Sequence, residues 1–75
     1  MRRYAVHTHL PPTWKTPKGE PVSCAEKIKV LNQNFVEIEQ LAQDALEDAI
    51  LMGCDEDQVR KALHGLVDHL KVRLR

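Results

Sequence analysis

Between residues 24 and 52 the apolar positions recur alternately four and three apart without a slip: Cys24, Ile28, Leu31, Phe35, Ile38, Ala42, Ala45, Ala49 and Met52. That spacing keeps one apolar seam on one side of a long α-helix. The other strongly periodic segment, residues 58 to 74, is much shorter. The chain is therefore expected to build a lopsided helical hairpin with apolar surface left over.

Local signals bound the helices. Ser23 is a good N-cap, and Glu26 three residues later completes a capping box. Gly53 is the residue type that takes a left-handed conformation cheaply just past a helix end. Asp55 is expected to cap the next helix, with Gln58 completing a second box, and Cys54 and Val59 at the staple positions. Two helices joined so briefly must run antiparallel. The expected fold is all-α: an antiparallel helical hairpin with a long helix over about 24–52 and a short one over about 56–73. Residues 1–22 form an extended, Pro-rich N-terminal arm and residues 23–75 the hairpin domain. All four prolines (Pro11, Pro12, Pro17, Pro21) lie in the arm, where no regular helix fits. Within it, Tyr4 to Leu10 alternates weakly and suits a short extended strand, which needs a surface to lie on.

Pairing positions across the turn sets Ala49 with Val59, Ala45 with Leu63, Ala42 with Leu66 and Ile38 with Leu70, with Phe35 beside Leu74. Small residues opposite large ones let helices approach closely. Gly65 in the second helix is then readable as a close-approach position. Two surpluses remain. Cys24, Ile28 and Leu31 overhang the second helix, and Leu41 flanks the seam on one side with Leu46 and Ile50 on the other. On an ideal helix the arc from Leu41 to Ile50 spans about 180° at about 100° per residue, more than one neighbouring helix covers. A second hairpin would cover it. The expected product is a homodimer, most simply a two-fold four-helix bundle, and the same surface also suits a different protein partner. The expected interface residues are Leu10, Trp14, Ile28, Leu31, Phe35, Leu41, Leu46 and Ile50.

Size points the same way. A chain of 75 residues with one Trp, one Tyr and one Phe is near the lower limit for a self-sufficient core. Cys24 and Cys54 sit at opposite ends of the long helix, roughly 45 Å apart at about 1.5 Å per residue. A bridge needs Cα atoms within about 7 Å. Reduced thiols and a cytoplasmic location are expected. No stretch is apolar and long enough to span a membrane.

Net charge is zero but zoned. Residues 1–29 carry six Lys/Arg and two acids, for +4; residues 30–57 carry eight acids and no Lys/Arg, for −8; residues 58–75 carry five Lys/Arg and one acid, for +4. The acidic middle argues against nucleic acid as a partner. It also gives the hairpin an acidic tip that suits a basic partner.

No residue set carries a catalytic signature, and no cofactor is implied. His7 and His9 would point to one side of an extended segment and are weak metal candidates. With Cys24 and Cys54 they allow an alternative reading as a metal- or redox-responsive sensor; a small acidic inhibitor or antitoxin-like binder is a further one. His64 and Asp68, four apart, suit a surface hydrogen bond. The acids lack the inward Glu-x-x-His spacing of helical di-iron proteins. In proportions the chain resembles small bacterial helical-hairpin accessory proteins, including the plasmid copy-control hairpins. That resemblance is one of architecture, and no residue motif accompanies it. The function expected is that of a non-enzymatic accessory protein that self-associates through an apolar helix face and binds or modulates a protein partner.

Overall fold

Two helices account for the regular structure of residues 12–74, the part of the chain that the computed structural model describes: α1 (Ala25–Leu51) and α2 (Glu56–His69). The fold is all-α, with a helical hairpin and no strand among the described residues. The proposed strand over residues 4–10, and with it His7, His9 and Leu10, lies outside them. The chain divides into two compact units, residues 1–40 and 41–75, and α1 contributes to both.

In the first unit, the described part of the arm, residues 12–22, is non-helical, as its prolines require, but it reverses direction instead of running extended. The Thr16 carbonyl accepts from the Gly19 N–H at 2.8 Å, and the Thr16 N–H donates to the Glu20 carbonyl at 2.7 Å. Pro17 occupies the second position of this turn, where its fixed φ is already correct. Gly19 follows in the left-handed region at φ 86. A turn followed by such a glycine is a common three-residue hairpin loop. The reversal continues to the antiparallel bridge Lys15–Pro21 and the Val22 N–H to Trp14 carbonyl bond of 2.8 Å. Proline tolerates this place because an isolated bridge has no further partner for its missing N–H.

Helix α1 starts one residue later than the capping signal suggests. The first intrahelical bond runs from the Ile28 N–H to the Cys24 carbonyl at 3.0 Å, so Cys24, not Ser23, is the N-cap. The residue three beyond the cap is then Lys27, and the expected Ser23–Glu26 box does not form. Its last turn has no basic residue.

In the second unit, the α1 end is closed by paired bonds. The Cys54 N–H reaches the Ala49 carbonyl at 2.9 Å, and the Gly53 N–H reaches the Ile50 carbonyl at 3.0 Å. This is a Schellman motif, and Gly53 supplies its left-handed residue at φ 95. Asp55 caps α2 as expected: its side chain accepts from the Gln58 N–H at 2.9 Å. Glu56 and Asp57 favour the positive helix start. Glu56 also holds Arg60 at 2.9 Å, an exposed pair one turn apart.

The expected boundary of α2 at 73 is not reached. The helix stops at His69, and Leu70 is an extended C-cap with ψ 140. Burial along the seam is partial. Ala42, Leu46, Ala49, Val59 and Leu63 are half-buried, but Ala45 is exposed. Ile38, Leu66 and Leu70 are 57 %, 58 % and 69 % exposed. Phe35 and Leu74, at 49 % and 89 %, are exposed as well, so none of the outer seam positions is buried. Gly65 is not a close-approach position either: a Cβ placed there meets nothing within 4 Å. Among the described residues no hydrophobic side chain is buried, and the one buried residue is Gln40, whose polar atoms are not left unsatisfied.

Candidate interaction surface

Among the described arm residues, Trp14 is fastened to α1 by its side chain. The turn at Thr16–Gly19 and the bond from Val22 to the Trp14 carbonyl fix its backbone. Its indole Nε1 donates to Asn32 Oδ1 at 2.6 Å, and its ring meets Phe35 with centroids 4.9 Å apart and planes at 52°. A tilted pair at that separation suits the ring quadrupoles. Asn32 and Phe35 are three apart, so one face of α1 presents the polar and the aromatic contact together. The apolar spacing alone does not single out Asn32 for this role. A signal for it exists in the sequence all the same: a covered indole N–H needs an acceptor, and Asn32 borders the seam one turn before Phe35.

The expected interface residues fall into three sets. Leu10 lies outside the described residues. Trp14, Ile28, Leu31 and Leu46 are half-buried. Phe35, Leu41 and Ile50 are exposed by 49 %, 70 % and 43 %. Phe35 thus stays half open even with Trp14 against it. Further large apolar side chains are open that the spacing assigns to the seam: Ile38, Met52, Leu66 and Leu70. Spacing shows which residues share a face and says nothing of what covers it.

The charged groups lie around this apolar surface. The Gln43 amide donates to Glu47 at 2.8 Å on the exposed side of α1. The charges of α1 are mixed relative to its macrodipole: Glu26 and Lys27 share its first turn, and Asp48 stands in its last.

The remaining chemical candidates do not converge. The Cys24 thiol is held below its ordinary value, chiefly by the Lys27 backbone N–H donating to it, with slight desolvation opposing and the Glu26 N–H and Lys27 charge assisting. Cys24 and Cys54 are both free and exposed. His64 and Asp68 share a helix face, but among the described residues no hydrogen bond joins them. Among the described residues no cluster of three or more His, Cys, Asp or Glu could hold a metal ion. No helix among them is long and apolar enough to cross a membrane. Open depressions lined by Glu26, Lys27, Val30 and Leu31, and by Arg60, Leu63, His64 and Val67, are shallow and mainly apolar. Comparison with known proteins gives no match: no family model, no curated protein and no solved structure is significantly similar to the chain.

Proposed function

We propose that the chain is a non-enzymatic interaction protein, a helical hairpin that self-associates through its open apolar face and binds or modulates a protein partner. One observation carries this reading: among the described residues no hydrophobic side chain is buried, while Ile38, Leu41, Met52 and Leu66 are each more than half exposed. Apolar area removed from water stabilises by roughly 25 cal/mol per Å², and this chain alone leaves that stabilisation unused. Large apolar side chains left open on neighbouring positions support an interaction site.

Sedimentation of the full chain from low to high micromolar concentration tests the self-association. The expected result is a reversible dimer that Leu41→Asp weakens about tenfold or more. Leu41 is 70 % exposed, so the same change should alter the stability of the isolated chain by no more than about 0.5 kcal/mol. A strict monomer throughout, or a dimer indifferent to Leu41→Asp, defeats the proposal.

A further inference from the structure

Helix α2 stops where its sequence gives no reason to stop. Residues 70–74 read Leu-Lys-Val-Arg-Leu, without the Gly or Pro that ends helices. The apolar seam of α2, Val59, Leu63 and Leu66, continues at helical spacing to Leu70. Even so, Leu70 is extended, with its N–H bonded to the Val67 carbonyl at 3.1 Å, and residues 71–74 belong to no helix. Burial explains the stop. Val59 and Leu63 are half-buried, whereas Leu66, Leu70, Val72 and Leu74 are 58 %, 69 %, 84 % and 89 % exposed. Helices in small proteins owe most of their stability to packing of the apolar face, and this face loses its cover before the chain loses its helical pattern.

We infer that residues 70–74 are a docking segment for a second copy of this chain, and that they complete α2 when that copy covers Leu66 and Leu70. This rests on the self-association proposed above. The occupant follows from charge and from matching apolar surface. Lys71 and Arg73 flank the open apolar residues, while the N-cap and first turn of α2 carry Asp55, Glu56 and Asp57. A two-fold arrangement that sets the acidic turn of each copy against the basic end of the other satisfies both at once. The apolar counterpart is present as well: Leu41 and Ala45, one turn apart on α1, are exposed, as is Met52 just past its end. Completion of the helix would also bring Lys71 and Arg73 into its last turn, where cations favour the negative dipole end.

Val72→Pro separates the two states. Val72 is 84 % exposed and lies outside the helix, so proline leaves the free chain intact. In a completed helix it would remove a backbone bond and clash with the preceding turn. The test is sedimentation of the full-length chain and its Val72→Pro variant, with backbone carbon chemical shifts of residues 70–74 followed over the same dilution series. The expected result is helical shifts at high concentration that vanish on dilution, and dimerisation about tenfold weaker or more in the variant. Unchanged thermal unfolding of the dilute variant shows that the monomer was not damaged. A dimer whose residues 70–74 stay non-helical, or which tolerates Val72→Pro, overturns this inference and leaves self-association standing. A strict monomer overturns both.

Discussion

In residues 12–40 one aromatic side chain fastens the loop to the helix, whereas in residues 41–74 the turn itself does the fastening. Trp14 reaches a partner 18 positions away, and its contacts with Asn32 and Phe35 are single ones. Around Gly53 the bonds join residues three to five apart, and the Asp55 cap follows at once. The first unit therefore depends on closing a loop before any contact is gained; the second makes its contacts almost as soon as the chain turns. Each leaves apolar side chains open, so local order and core formation are separate achievements here. A turn can be fully determined by backbone chemistry while the helices it joins still lack cover.

The most severe break in this comparison is removal of Trp14. Trp14→Ala should cost the first unit about 1–3 kcal/mol, combining about 0.5–1.5 for the aromatic pair with a similar amount for the hydrogen bond to Asn32. Among the described residues no other hydrogen bond of the loop has that reach, so the loss should appear as local opening. Trypsin cleavage after Lys15 and Lys18 should accelerate about tenfold or more. Phe35→Ala is the companion variant. It keeps the chain's one tryptophan, whose emission should shift to the red as the ring is released. Cleavage rates equal to those of the parent chain would show that the loop is held by something other than Trp14.

The second unit is tested at Gly53. Its φ of 95 is strained for any residue with a Cβ, and a Cβ there meets nothing within 4 Å. The cost of Gly53→Ala is thus backbone strain alone, about 1–2 kcal/mol. Thermal unfolding followed by far-UV circular dichroism should report it. The emission of Trp14, which senses the first unit, should move less. Equal shifts by both probes would mean that the two units unfold together and that their different fastenings have no energetic consequence.

Much of the fold is legible in the sequence because its signals are local. Gly53 and Asp55 act through residues a few positions away, and both do what their chemistry requires. The start of α1 differs by one residue from its capping signal because Ser23 and Cys24 compete for one role, and the bond from Ile28 to Cys24 decides between them. The turn at Thr16–Gly19 is also legible in principle: proline second and glycine fourth is a turn signature. Reading the prolines only as helix breakers obscures it. The outer seam is not legible. Spacing shows which residues share a face, but not whether anything covers that face, and the exposure of Leu66 and Leu70 depends on the cover. The same limit applies to the interaction surface, whose members are easily placed on helix faces and whose occupant is not written in any spacing.

The smallest effect sharpens the comparison by reversing its sign. Gly65, like Gly53, has open space where a methyl group would sit, with nothing within 4 Å of an added Cβ. Unlike Gly53 it sits inside a helix, and its φ is not positive. Gly65→Ala therefore relieves the entropy cost of glycine without strain and should stabilise α2 by about 1 kcal/mol. For a chain of this size that corresponds to a rise in Tm of roughly 4–8 °C. The same substitution at two equally uncrowded glycines should thus move the melting temperature in opposite directions, because only the backbone angle differs. Dilution makes the test sharper. If Gly65→Ala stabilises the dilute chain but weakens its association, the second copy approaches α2 closely at Gly65, and the glycine serves the assembled state instead of the single hairpin.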